Sequence, residues 1–219
     1  MKTGIKKYID YELAPLTREE RLSLIEILID EILLENWDFN DVVILIKKIE
    51  EKDLYIRQPL FEKIIYPILI NEIEEENVEA IKCLIKLEPN LFAYQRKHQI
   101  NEYTTWNLIE KGLEFDKSDK ELLVKYEQLL RFWLDYTIHH IPDFLIFNDF
   151  EEINPERCDE LLNLLETYKN TCQKLDLEKD EYRINLIEEC NFHYRNYKVY
   201  LEKADKYKNY RDFLNKKTF

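Results

Sequence analysis

Glycine is nearly absent from this chain, and that scarcity limits its possible folds more than any other feature. Only Gly4 and Gly112 occur in 219 residues. Tight β-hairpin turns and phosphate-binding loops usually need glycine where the backbone takes a positive φ. An all-β fold and a glycine-rich nucleotide loop are therefore hard to build from this sequence. Because 45% of the residues are hydrophobic, the chain can still bury a core, and we predict an all-α protein.

A short recurrence indicates how the helices are arranged. Leu45-Ile46-Lys47 is followed 39 positions later by Leu84-Ile85-Lys86, and Leu123-Val124-Lys125 comes a further 39 positions on. Each triplet lies in an apolar run that follows a capping-type residue: Asn40, Asn77 and Ser118. Spacing of this size is typical of solenoids built from paired helices. We therefore expect antiparallel helix pairs stacked as a short α-solenoid.

Local signals place several helix ends. Thr17 followed by Glu20 has the pattern of a capping box, and Asn154 before a proline predicts another helix start. Pro67 lies inside an apolar run and predicts a bend or two short helices. We expect Pro89 to end one helix and Gly112 to end another.

The domain organisation follows from these helices. We predict a helical-repeat domain at residues 1–150 and a C-terminal helical hairpin at residues 151–219 that packs on it. Residues 178–214 contain neither proline nor glycine, and apolar side chains recur there at heptad-like intervals. That segment is predicted to be a long terminal helix or a helical hairpin.

Charge and cysteine content narrow the function classes. The net charge is -13, which disfavours general nucleic-acid binding because phosphate contacts need an excess of lysine and arginine. No stretch approaches the roughly 20 apolar residues that span a membrane. The four cysteines show no close pairing and predict reduced thiols in a cytoplasmic protein: Cys83, Cys158, Cys172 and Cys190. Walker, Gly-x-Ser-x-Gly, His-Glu-x-x-His and dinucleotide motifs are all absent, so we expect no cofactor.

One junction carries a family resemblance. Leu33-Leu34-Glu35-Asn36-Trp37-Asp38-Phe39 resembles the inter-helix junction of some bacterial HEAT-like repeat proteins, and the 39-residue recurrence is similar to that family's repeat length. The resemblance covers residues 17–140. It implies a solenoid whose concave face binds another protein. Small acidic bacterial proteins of this appearance are often immunity partners of secreted toxins, so the expected function is non-catalytic binding of a basic toxin domain.

Two groups of carboxylates are the predicted protein-binding residues. They are Glu72, Glu74, Glu75, Glu76 and Glu79, and Asp149, Glu151 and Glu152, with Glu156, Asp159 and Glu160 close behind in sequence. Such groups are ordinarily solvated helix ends. The functional interpretation is an anionic surface that captures a cationic protein, with an affinity that falls as salt rises.

Two alternative functions stay open at this point. Asp135 and His139 lie at i and i+4 on one helix, and Glu189 and His193 repeat that spacing. If the two pairs converged, with His140 nearby, they could bind a divalent metal in a helical enzyme.

The second alternative is a nucleic-acid-associated helical protein. Residues 193–219 carry eight basic and three acidic side chains, a charge of +5, and several tyrosines interleave with them. Such a tail could stack bases and hold phosphates. The simpler interpretation, which we prefer, is that the tail folds back on its own acidic body with its tyrosines inward.

Overall fold

The computed structural model describes residues 2–143, 145 and 154–217, and in these ranges it is helical without a strand. This confirms the all-α prediction. The helices form two compact units, residues 1–117 (the N-terminal unit) and residues 118–219 (the C-terminal unit). The boundary predicted after residue 150, between domains 1–150 and 151–219, lies inside the second of these units, because the helix Lys120–Ile138 packs with the helices Pro155–Lys174 and Glu181–Leu201.

The N-terminal unit contains α1 (Thr3–Leu13), α2 (Arg18–Ile32), α3 (Phe39–Glu51), α4 (Gln58–Leu60), a π-helical segment (Phe61–Ile65), α5 (Tyr66–Glu74), α6 (Val78–Lys86), α7 (Glu88–His98) and α8 (Thr105–Phe115). The C-terminal unit contains α9 (Lys120–Ile138), α10 (Pro155–Lys174), α11 (Glu181–Leu201), a 3-10 turn (Ala204–Lys206) and α12 (Tyr210–Lys216). No helix in the described ranges combines the length and apolar character that crossing a membrane requires.

Side-chain caps fix where the first helices begin. The predicted capping box of α2 is present: Thr17 Oγ1 accepts from the Glu20 N–H, and the Glu20 carboxylate accepts from the Thr17 N–H at 2.8 Å. For α3 the cap is Asp38 rather than the expected Asn40. Asp38 and Asp41 each accept the other's backbone N–H at 3.0 Å, and this reciprocal pair starts the helix two residues early.

The irregularity predicted at Pro67 takes the form of a π-helical turn. From Gln58 to Glu74 the chain stays helical, but over Phe61–Ile65 the turns widen, and the Tyr66 N–H bonds to the Phe61 carbonyl. Pro67 follows in the first turn of α5, and it has no N–H to donate to a carbonyl of the preceding turn. The wide turn still buries Phe61, Ile64 and Ile65 in the core.

Two helix ends differ from the sequence prediction. Pro89 does not simply end a helix: α6 stops at Lys86, and Pro89 lies in the first turn of α7, which the sequence analysis missed. Gly112 does not end α8, which continues to Phe115. Burial of Leu108 and Ile109 holds this helix together and offsets the roughly 1 kcal/mol that glycine costs in a helix interior.

The C-terminal unit is built on three long helices. Each of α9, α10 and α11 packs against the other two, and α12 packs on α11. Residues 178–214, predicted to be a long terminal helix or a helical hairpin, do not form one continuous helix, since α11 ends at Leu201 and Asn209 caps the separate α12. Tyr210 and Phe213 of α12 are buried, so the chain turns back to cover the apolar face at the end of α11.

The recurrent triplets are only partly equivalent. Leu45 and Ile46 of α3 are buried, and so are Leu84 and Ile85 of α6. In the third triplet Leu123 is buried, but Val124 is 43% exposed. The burial pattern therefore repeats within the N-terminal unit and changes in α9.

Candidate functional site

The acidic turn, residues Glu72–Glu79 between α5 and α6, has a fixed backbone. Glu76 takes the left-handed conformation with φ 61°, and its N–H bonds to the Ile73 carbonyl at 3.1 Å. Asn77, as predicted, caps α6: its Oδ1 accepts from the Glu79 N–H at 3.0 Å. Its amide also donates to Glu72 at 2.7 Å. The turn is therefore a structured platform for its carboxylates.

Three carboxylates of this turn face solvent without a counter-ion. Glu79 pairs with Lys82 at 2.8 Å. Glu74, Glu75 and Glu76 are exposed and have no ion-pair partner in the part of the chain that the structure describes. Adjacent, unneutralised carboxylates concentrate negative potential at one point of the surface.

The second predicted carboxylate group is mostly outside the described residues, which exclude Asp149, Glu151 and Glu152. Two of its three neighbours on α10 have basic partners, and the third, Glu156, is exposed. Asp159 accepts from Lys198 at 2.7 Å, and Glu160 accepts from Arg157 at 2.5 Å.

The candidate metal ligands occupy separate environments. Asp135 accepts the Tyr182 hydroxyl at 2.8 Å and 2.7 Å. His193 Nδ1 lies 3.0 Å from the Tyr210 hydroxyl, and burial lowers the pKa of this imidazole. His139, whose ring centroid is 5.0 Å from that of His140, and Glu189 are both exposed. No cluster of three or more histidine, cysteine or carboxylate side chains suited to a metal ion occurs in the described ranges.

The basic tail presents fewer aromatic faces than its sequence suggests. Tyr194, Tyr197 and Tyr210 are buried, as expected for a tail that folds inward. The rings of Tyr197 and Tyr210 meet edge to face with centroids 4.8 Å apart. Lys198 pairs with Asp159 at 2.6 Å. These tyrosines support the C-terminal unit and are not free to stack on bases.

A feature that the sequence analysis missed is a solvent-open cleft of about 480 Å³ in the N-terminal unit, which we call the arginine cleft. It lies where the end of α1, the start of α2 and the start of α4 meet. Three arginines and a glutamine share its wall with apolar side chains: Tyr11, Leu16, Arg18, Arg21, Leu22, Ile25, Arg57, Gln58 and Pro59.

A buried carboxylate organises this cleft. The Glu12 side chain is 3% exposed and accepts two hydrogen bonds from Arg57, from Nε at 2.7 Å and from Nη2 at 2.9 Å. These bonds raise the pKa of Arg57. Arg21 Nη1 lies 3.9 Å from the same carboxylate. The pairing joins residues 45 positions apart, so no local sequence pattern could reveal it.

Arg21 and Arg18 differ in their hydrogen-bond partners. Arg21 donates to the backbone carbonyls of Tyr11, Glu12 and Ala14 at 3.2, 3.3 and 2.7 Å, and so caps the C-terminal end of α1. Arg18 is exposed and has no partner among the described residues. The cleft therefore contains one arginine fixed in structure, one shared with a carboxylate, and one free.

A second buried carboxylate, Glu127 of α9, is held through its Oε1. It accepts from Arg183 Nε at 2.9 Å and from the Tyr168 hydroxyl at 3.2 Å, and Arg131 Nε lies 3.4 Å away without hydrogen-bond geometry. Burial raises the pKa of Tyr168, so this phenol stays protonated as a donor. The group links all three long helices of the C-terminal unit and has a structural role.

Comparisons with protein-family models, with curated proteins and with solved structures gave no match for this chain.

Proposed function

We propose that this chain is a non-catalytic, acidic helical module that binds a basic protein, in the manner of an immunity protein that neutralises a cationic toxin domain. The observation that carries the proposal is the acidic turn. Glu74, Glu75 and Glu76 are consecutive exposed residues on a capped, hydrogen-bonded backbone.

The position of these carboxylates argues against a role in stability. Glu74 lies in the last turn of α5, and Glu75 follows at its C-cap, while that turn contains no basic residue. The C-terminal end of a helix carries a partial negative charge, so each carboxylate there costs about 0.3–1 kcal/mol where a lysine would stabilise. A charge arrangement that is unfavourable for the fold is readily explained by a cationic partner.

The overall charge supports the same partner class. A net charge of -13 attracts a basic protein over distances near the Debye length, about 8 Å at physiological salt, and raises its association rate. We propose further that the helices of the N-terminal unit stack as HEAT-like pairs. In support of this, α3 packs against α5 and α6, and α6 packs against α8.

Charge reversal of the turn tests the proposal. The immobilised chain is exposed to lysate of its native cells at about 0.05 M and about 0.3 M NaCl, and captured proteins are identified and repurified. The turn variant carries Glu74→Lys and Glu75→Lys. The control variant carries Glu178→Lys and Glu181→Lys, which change the net charge by the same amount at exposed positions of the C-terminal unit.

The expected result is a basic partner whose affinity for the parent chain falls at least tenfold at the higher salt. At the lower salt its affinity should be at least tenfold weaker for the turn variant and less than twofold weaker for the control variant. Equal losses in both variants would show that only net charge matters. A partner that binds the turn variant as tightly as the parent would refute the proposed site.

A further inference from the structure

We propose that the arginine cleft binds a peptide segment of another protein in which a carboxylate side chain stands next to a large apolar side chain. The proposal is independent of the acidic turn, which belongs to a different part of the N-terminal unit. It rests on the charge, the free donors and the apolar wall of the cleft.

The local charge of the cleft is opposite in sign to that of the chain. Arg18, Arg21 and Arg57 line the cleft, and Glu12 pairs with the last two of them. These four side chains sum to +2 within a protein of net charge -13. Arg18 is exposed and has no partner among the described residues, so its guanidinium is free to meet an anion. An incoming carboxylate would supply the missing charge.

Donors suited to a carboxylate are already in place. Glu12 occupies Nε and Nη2 of Arg57, and the third nitrogen, Nη1, has no hydrogen-bond partner in the described chain. The whole Arg18 guanidinium is unengaged. Because Glu12 holds the Arg57 side chain, little side-chain entropy is lost when Arg57 Nη1 donates to a ligand. The planar Arg18 guanidinium can meet a carboxylate in two parallel hydrogen bonds.

The apolar wall accounts for the second half of the ligand. Leu22 is 65% exposed, and it lines the cleft beside Ile25, Leu16 and Pro59. An aliphatic or aromatic side chain laid against these groups would remove apolar surface from water. Residues of this kind next to a charged rim are typical of peptide-binding surfaces.

Two features favour a peptide over other anions. The cleft is open to solvent on one side, so a chain can enter and leave it, whereas a small ligand is normally enclosed for most of its surface. Nucleic acid would need an aromatic face for stacking, and the Tyr11 ring is covered by the Arg21 guanidinium, 5.5 Å from its centroid.

The test uses the full chain and defined probes. N-acetyl-Phe-Glu-Leu-amide, its neutral counterpart N-acetyl-Phe-Gln-Leu-amide, and octanoate are titrated separately and followed by two-dimensional 1H–15N NMR. The variants are Arg18→Gln and Leu22→Ser, both at exposed positions, and Arg96→Gln is a control that removes the same charge from α7. Parent-like spectra without ligand verify that each variant is folded.

The expected result is that the glutamate peptide shifts amides of Leu16, Leu22 and Arg57, and that the glutamine peptide binds at least fivefold more weakly. Arg18→Gln and Leu22→Ser should each weaken binding of the glutamate peptide at least threefold, and Arg96→Gln should weaken it less than 1.5-fold. Losses of three- to fivefold correspond to about 0.7–1 kcal/mol for each charge-assisted or apolar contact removed. Equal binding of both peptides, indifference to Arg18→Gln, or octanoate binding as tightly as the peptide would each overturn the proposal.

Discussion

A single buried oxygen, the hydroxyl of Tyr8, holds the backbone between α3 and α4, and substituting Tyr8 by phenylalanine measures how much it contributes to stability. The Tyr8 side chain is fully buried. Its hydroxyl donates to the Tyr55 carbonyl at 2.9 Å and accepts from the Arg57 N–H at 2.7 Å. Tyr8→Phe removes only this atom and leaves two backbone groups without it.

The size of the effect follows from those two groups. A buried donor or acceptor left unsatisfied costs about 1–3 kcal/mol, and the Tyr55 carbonyl, next to an exposed ring, regains some hydration. We therefore expect Tyr8→Phe to lower the free energy of unfolding of the N-terminal unit by about 2–3 kcal/mol. That loss corresponds to a roughly 30- to 140-fold change in the unfolding equilibrium.

Hydrogen exchange measures this unit separately from the rest of the chain. The slowest amides of the N-terminal core, such as those of Leu45 and Leu60, should exchange faster in Tyr8→Phe by the same factor. Tyr55→Phe is the matched control, because that side chain is 70% exposed and its hydroxyl has no partner in the described ranges. We expect the control to change stability by less than about 0.5 kcal/mol.

A loss of stability below about 0.5 kcal/mol in Tyr8→Phe, or one equal to that in Tyr55→Phe, would refute the reasoning. It would mean that the two backbone groups do not depend on the Tyr8 hydroxyl for their hydrogen bonds.

Three further predictions concern other parts of the molecule. Arg57→Met should lower the free energy of unfolding in urea by about 2–3 kcal/mol. This is less than the about 3–5 kcal/mol typical of a broken buried ion pair, because the Arg57 side chain is 40% exposed. Adding Glu12→Met should recover at least about 1 kcal/mol, and strictly additive losses would contradict the pairing. Gly4→Ala should destabilise the chain by about 1–2 kcal/mol, because the new Cβ would lie 3.0 Å from the Trp37 ring, whose Nε1–H is bonded to the Ile32 carbonyl at 3.1 Å; a stabilised variant would show that the ring can move. The four cysteines are free and buried: Cys83, Cys158, Cys172 and Cys190. Burial raises the pKa of the Cys83 and Cys158 thiols to about 11 and that of Cys190 to about 12. A disulfide reagent at about pH 8 should therefore label none of the four in the folded protein and all of them after denaturation.

The sequence by itself determined the helical class and the sharpest local features. Two glycines in 219 residues exclude most turn-rich folds, and the caps at Thr17, Asn77 and Asn154 were predicted because a capping side chain acts within three residues of its target. The exposed glutamates of the acidic turn were also identifiable, since runs of charge are rarely buried.

Only the tertiary structure decided which residues meet across the chain. The break between α11 and α12 lies in a segment without proline or glycine, and it is fixed by the packing of Tyr210 and Phe213 on α11. Likewise, Glu12 and Arg57 are ordinary charged residues until folding brings them together and removes the carboxylate from water. Local propensity extends over a few residues, whereas the burial of charge depends on contacts between distant segments, and for that reason the arginine cleft could not be predicted.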